Sequence, residues 1–307
     1  MNYSSPAYGG SAAVSSGSSK ITTTIIIVVT VVTVVCLGIL GIALGVGLGV
    51  GLRQSSRVIT VLAAPTVSCS PTTATCGCPS TQPTFSARLI GGQTAAANSW
   101  PWMVYLTIGT SRTCSGFIIT QRHVLTASSC VKPNANNITV NYGTSTYQPS
   151  VVGVNVTSAN FTVDSYDSVA ILTLAVNLTY TTTIQPCCLT TDITEPFIQE
   201  HGVITGWGQT VASTNVTVAP SLQQAVVRVQ DPAACAISPS NFQFCGSFGS
   251  IQTCPADVGA PLMTNFDNVW TCAGIVTGSA TSCNSPITFT RTAAYSSFIK
   301  NITGLVF

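Results

Sequence analysis

Apolar and polar positions divide the chain into four stretches. Residues 1–20 are mostly Ser, Gly, Ala and Tyr. So little apolar surface cannot offset the entropy of folding, and a disordered cytoplasmic tail is expected. Lys20 and Arg53 then bracket 32 residues without a charge, and the run Ile25–Leu52 is almost wholly apolar. It exceeds the ~20 residues that cross a bilayer as a helix, whereas a cleaved signal peptide has an apolar core of only ~7–15. The pattern predicts a transmembrane helix over 21–52, acting as a signal anchor. Residues 53–88 turn to Thr, Ser, Pro and Ala, with Cys69, Cys76 and Cys78, a composition that predicts an extended stalk without a packed core.

From residue 89 the pattern changes to short β-branched runs broken by Gly, Pro, Asn and Ser. Strands are predicted at Trp102–Ile108, Gly116–Thr120, Val124–Ala127, Val151–Val156, Ala170–Leu174, Val203–Gly206, Ala225–Val229, Trp270–Thr277 and Thr288–Arg291. Such spacing reads as an all-β barrel or sandwich, and the length suits two small barrels. Ala293–Ile302 carries apolar residues at helical spacing and predicts a terminal helix.

Charged residues make up 6% of the 307, against roughly 25% in ordinary soluble domains. Residues 89–307 hold six bases and eight acids, and no basic patch suggests nucleic acid. Twelve of the thirteen cysteines follow residue 60, which points to an oxidising compartment. Six Asn-x-Ser/Thr sequons follow the span, at Asn137, Asn155, Asn160, Asn177, Asn215 and Asn301, and one precedes it at Asn2. Arg53 and Arg57 mildly favour a cytoplasmic C-terminal side. The cysteines and sequons outweigh them, so a single-pass type II plasma-membrane glycoprotein with its C-terminal portion extracellular is expected. Gly41, Gly45 and Gly49 stand four apart within the span, a spacing that lets two helices approach, so a helix-helix dimer is a candidate. No cysteine or histidine set has metal-site spacing, and no cofactor is implied.

Several motifs fall in one order. Arg88-Leu-Ile-Gly-Gly92 precedes Trp100-Pro-Trp-Met-Val104; Cys114-Ser-Gly-Phe-Ile-Ile119 precedes Val124-Leu-Thr-Ala-Ser-Ser-Cys130. Then come Val169-Ala-Ile-Leu-Thr-Leu174, Gln185-Pro-Cys-Cys-Leu189, Val203-Ile-Thr-Gly-Trp-Gly208, Cys254-Pro-Ala-Asp-Val-Gly-Ala-Pro-Leu262 and Cys283 with Pro286-Ile-Thr-Phe-Thr-Arg291. Together they resemble the trypsin/chymotrypsin family of serine proteases over about 70% of the chain. The resemblance implies two antiparallel six-stranded β-barrels with a C-terminal helix.

The family's catalytic positions are carried over one by one. The base histidine becomes Ser129, the orienting aspartate Ser168, and the nucleophilic serine Val258. An isopropyl group has no lone pair to attack a carbonyl, and a lost base cannot activate a nucleophile. Asp167 neighbours Ser168, but strand parity turns it to the other face. His123 and His201 are the chain's only histidines and lie away from the motif. The family's pocket positions become Gln252, Thr277, Gly278, Ser279 and Ile287, with Ile287 expected to project into the pocket. No acid stands at its base.

By resemblance, Arg88–Leu89 is an activation cleavage site, and Asp257 is the partner of the freed α-amine. Asp257 held instead by backbone donors is the alternative. Family-like bridges are Cys114–Cys130, Cys235–Cys245, Cys254–Cys283 and Cys188 with one stalk cysteine. Cys187–Cys272 with a bridge inside the stalk is one arrangement of the remainder.

The reading is therefore a membrane-anchored, catalytically inactive protease homologue that acts by binding a protein partner, in recognition, adhesion or as a decoy. An active serine endopeptidase and a structural surface glycoprotein are the alternatives.

Overall fold

The computed structural model describes residues 64–85, 92–109, 112–132, 137–147, 154–156, 160–193, 200–208, 218–235, 241–247, 257–277 and 287–306. The N-terminal tail, the apolar span and its three glycines lie outside the described residues. Among those described, no helix is long and apolar enough to cross a membrane.

The first strand, β1 (Gln93–Thr94), is followed by seven that build one antiparallel sheet. These are β2 (Met103–Ile108), β3 (Arg112–Ile118), β4 (His123–Ala127), β5 (Ile138–Tyr142), β6 (Val154–Val156), β7 (Phe161–Val163) and β8 (Val169–Thr173). Their order across the sheet is β6-β5-β2-β3-β4-β8-β7. Leu106 stands opposite Val140, and Leu125 opposite Ile171, so β-branched and aliphatic pairs stack on the inner face. Trp102, Phe117, Leu125, Ile138 and Ile171 are all fully buried there.

A second sheet holds β9 (His201–Gly206), β10 (Gln223–Gln230), β11 (Gln243–Ser247), β12 (Pro261–Phe266), β13 (Val269–Val276) and β14 (Ile287–Arg291). It runs β10-β11-β14-β13-β12-β9, and β9 pairs back onto β10 with Val226 opposite Val203, which closes a six-stranded barrel. The short β1 adds to its outside, placing Gln93 opposite Gln224. Val227, Phe244, Leu262, Ala273 and Phe289 fill the interior.

The expected pair of closed six-stranded barrels is therefore corrected. The first sheet has seven strands and remains an open half-barrel, because among the described residues β6 pairs with β5 and β7 with β8, and the two do not pair with each other. β6 and β7 run in the same direction and only four residues join them, too few for the crossover that a parallel pair needs. The large side chains inside exclude water without closure.

A 3-10 turn over Thr292–Tyr295 leads into helix α1 (Ser296–Thr303). Its start is later than periodicity suggests, because the first turn is wound more tightly. Gly304 ends it at φ +71°, donating its N–H to the Lys300 carbonyl at 2.8 Å. A residue without a Cβ takes that left-handed conformation at little cost.

The described part of the stalk lies along the body. Gly77 donates to the Pro186 carbonyl and accepts from Trp270 N–H, at 2.9 and 2.8 Å. The indole of Trp100 donates to Gln224 Oε1 at 2.7 Å, and the Gln224 amide donates to the Thr84 carbonyl at 2.8 Å. Disulfides Cys69–Cys78 and Cys76–Cys188 fasten this segment to itself and to the body. A composition poor in apolar residues hid this docking, which uses hydrogen bonds, sulfur and a few apolar side chains, Val67 and Phe85 among them, packed on the core.

Candidate functional site

Three segments converge where the sheets face each other. After β4, a 3-10 turn (Ser128–Cys130) carries Ser129, which is exposed. The turn before β8 carries Ser168, and the loop before β12 carries Val258. Ser128 N–H donates to the Ser168 carbonyl at 3.1 Å, while Ser115 N–H donates to the Val258 carbonyl at 2.8 Å. Cys130 is bridged to Cys114, and its sulfur lies 3.7 Å from that same carbonyl. The three positions thus sit at one place in the fold.

Gly259 sets the shape of the Val258 loop. Its φ is +86°, and a Cβ there would lie 2.0 Å from the Ser115 carbonyl oxygen. Only glycine tolerates both conditions. Gly259 N–H and Val276 N–H then lock the loop to β13, bonding the Val276 and Ala260 carbonyls at 2.8 and 2.9 Å. The isopropyl group of Val258 packs against the core.

The Ser168 turn has an organiser that motif reading missed. Asp164 is 6% exposed, and its carboxylate accepts from the N–H groups of Tyr166, Ser168 and Val169 at 2.6–2.7 Å. An aspartate opening a Ser/Tyr-rich turn is a legible Asx signal. Asp167 takes φ +57° and points its carboxylate to solvent, where it pairs with Lys132 at 2.8 Å. The Lys132 ammonium is the main cause that holds the Asp167 carboxyl below its usual range. Arg112 donates to the carbonyls of Ser129 and Lys132, a contact without any sequence signal.

Neither histidine reaches this place. His123 opens β4 and pairs with Thr173, its Nδ1 2.7 Å from Thr120 Oγ1. At ~3.3 Å per residue it lies about 13 Å along the strand from Ala127. Burial, aided by Arg122, lowers its pKa. His201 opens β9 opposite Arg228. Among the described residues no His, Cys, Asp and Glu group is placed to hold a metal.

The trypsin family model matches residues 89–299. Mouse chymotrypsin-C is 34% identical over 266 residues, covering 79% of this chain and 97% of its own. The bovine chymotrypsin-C is 34% identical over 250 residues, covering 73% and 92%. The chain belongs to the trypsin family. Among solved structures, the scabies mite inactivated protease paralogue S-D1 superposes with a TM-score of 0.62 at 22% identity. It covers 70% of this chain and 97% of the other, a likeness of fold.

With the family assigned, the pocket and loop positions can be placed. Thr277 is half-buried and its hydroxyl meets that of Thr290 at 2.8 Å. Ile287 is 3% exposed, inside the closed barrel with Val276 and Phe289. Gln252, Gly278 and Ser279 lie outside the described residues, as do Arg88, Leu89, Cys254 and Cys283. Cys235–Cys245 and Cys187–Cys272 are bonded.

Among the described residues, Asp257 directs its carboxylate inward beside Val258. Its Oδ1 accepts the Gly208 N–H at 2.9 Å. A Cβ on Gly206 or Gly208 would come within 2.2 Å of the carboxylate oxygens, so both glycines leave its space. Loss of water around the carboxyl pushes its pKa up to about 6, against the opposing pull of the Gly208 N–H.

Beside Ser168 a row of aromatic rings reaches the surface. Tyr166 and Phe242 are 5.3 Å apart between centroids, and Phe242 and Tyr295 5.9 Å. Tyr166 is 70% exposed and Phe242 41%.

Proposed function

We propose that this chain is a membrane-anchored, extracellular trypsin-family homologue that binds proteins and does not cut them. One observation carries the reading: the place where the family's chemistry is performed holds Ser129, Ser168 and Val258 in this chain. Acyl transfer needs a nucleophile and a base within hydrogen-bond reach. Ser129 and Ser168 offer hydroxyls where the family has its base and its orienting carboxylate, and Val258 offers carbon alone. The exposed rings of Tyr166 and Phe242 support binding, since aromatic residues beside a cleft are the usual anchors of polypeptide partners.

A fluorophosphonate serine probe on the purified full-length protein tests this. Labelling no greater than that of a heat-killed sample is expected, and stoichiometric labelling overturns the reading.

We also propose that cleavage after Arg88 frees the Leu89 α-amine to pair with Asp257. The raised pKa of Asp257 supports this, because a carboxyl in such surroundings gains most from an incoming cation. N-terminal sequencing of the mature protein is expected to begin at Leu89 for the body fragment; an intact Arg88–Leu89 bond in all molecules removes the latch.

A further inference from the structure

Among the described residues, six large apolar side chains are exposed: Tyr166, Val176, Tyr180, Ile193, Phe242 and Val306. One at a time, such exposure is ordinary on a folded surface. Val176 and Tyr180, however, belong to one short segment, 49% and 39% exposed, and the sequon Asn177-Leu178-Thr179 stands between them.

That segment is held in place at both ends. Leu174 and Leu178 are buried, and their N–H groups donate to the Arg122 and Gln121 carbonyls at 2.7 and 2.8 Å. The Arg122 guanidinium returns a bond to the Leu174 carbonyl at 3.2 Å. With both leucines turned into the body, Val176 and Asn177 are left on the solvent side, and Thr179 is exposed as well. Val176 directly precedes Asn177, and Tyr180 follows it by three residue steps, at most about 11 Å of chain. The asparagine thus stands in the middle of a fixed apolar strip. The other described sequons differ. Asn137 and Asn160 are exposed ahead of β5 and β7, and Asn301 is exposed on α1. Among the described residues, no exposed large apolar side chain lies within three positions of any of these.

We propose that Asn177 carries an N-linked oligosaccharide whose first sugars lie over Val176 and Tyr180 and cover this strip. In the transfer, the Asn177 amide nitrogen bonds to C1 of an oligosaccharide carried on a lipid pyrophosphate. The C1–O bond to the pyrophosphate breaks, the lipid pyrophosphate leaves, and the amide nitrogen gives one proton to a base of the transferring enzyme. A pyranose ring presents C–H groups that pack on a valine or on a tyrosine face, while its hydroxyls keep the outer side hydrated. With the strip covered, Tyr166 and Phe242 are the exposed aromatic residues left among those described, so the glycan confines apolar binding to the neighbourhood of Ser168. The inference rests on the extracellular orientation proposed above.

The full-length protein made in glycosylating cells and held in detergent provides the test. Mass spectrometry after peptide N-glycosidase in oxygen-18 water reads occupancy at each of the six sequons. Hydroxyl-radical footprinting then reads the accessibility of Val176 and Tyr180, with Tyr166 as the internal reference. In N177Q, labelling of Tyr180 relative to Tyr166 is expected to rise about threefold over wild type, with Val176 rising alongside it. N137Q, which removes an exposed sequon elsewhere, is expected to match wild type. Where N177Q fails to accumulate, wild type stripped by peptide N-glycosidase after folding is expected to show the same rise. Unchanged labelling of Tyr180 after either way of removing the glycan overturns the covering role. Protection that persists in N177Q and fades on dilution assigns the strip to a second copy and overturns it too. A bare Asn177 beside filled sequons overturns the proposal alone, whereas absence of glycan at all six sites sinks the extracellular orientation with it.

Discussion

Asp257 shows how one side chain can report the state of the loop around it. In the unfolded chain its pKa is near 3.8, and in the fold it is pushed up to about 6. Between those values the folded state binds more protons than the unfolded state, so stability falls as pH rises through this window. Above pH 6 the penalty is complete. At about 1.4 kcal/mol per tenfold change in proton affinity it amounts to at most about 3 kcal/mol, reduced by whatever water still reaches the group. Thermal melts between pH 4 and 7.5 are expected to show wild type losing stability relative to Asp257→Asn as pH rises. Pairing with the Leu89 amine would pull the pKa down, so protein cut after Arg88 is expected to lose this slope. A slope unchanged by cleavage counts against the latch. Gly259 makes a complementary point with no charge involved. Gly259→Ala must both hold φ +86° and displace the Ser115 carbonyl, and is expected to cost more than about 2 kcal/mol in a denaturant melt.

Among the elements, the turns that carry the candidate positions were legible and the half-barrel was not. Landmarks around Ser129, Ser168 and Val258 are local strings, and each string here folds into the turn that carries its residue. Val258→Ser is therefore expected to give no detectable peptide or ester turnover, because Ser129 supplies no base and His123 lies at the far end of β4. Measurable turnover in that single variant would mean the positions have been wrongly matched. Strand closure is a different kind of property. Alternation predicts which residues face inward, but not whether the lips of β6 and β7 find each other, because that depends on the direction in which the end strands run. β5 and β12 went unread for a related reason. Ile138-Thr-Val-Asn-Tyr142 and Pro261-Leu-Met-Thr-Asn-Phe266 place polar residues at positions that are partly or wholly buried, such as Asn141 and Thr264. Asp164 lay in plain view as an Asx turn residue, yet its three backbone contacts become visible only once the turn closes.

At the scale of the molecule, the stalk behaves as part of the body because covalent bonds, scattered hydrogen bonds and a few packed side chains such as Val67 and Phe85 hold it there. The two stalk disulfides differ in what they constrain. Cys76–Cys188 closes a separation of 112 residues, while Cys69–Cys78 closes one of 9. Loop-closure entropy grows as (3/2)RT ln n, so the longer bridge restricts the unfolded chain by roughly 2 kcal/mol more. Removing it also frees the backbone contacts of Gly77 with Pro186 and Trp270, which the tether holds in register. Cys76→Ser/Cys188→Ser is thus expected to lower unfolding stability by about 3–5 kcal/mol, and Cys69→Ser/Cys78→Ser by about 2 kcal/mol less, in guanidinium melts of the full-length protein. The same bridge decides what cleavage after Arg88 does to the whole chain. Wild type cut there is expected to run as one species on non-reducing gels and as two when reduced, whereas the Cys76/Cys188 variant separates without reductant. Equal losses for the two disulfide pairs would mean that the docked stalk is held by its hydrogen bonds, and that the long bridge adds little to a segment already fixed in place.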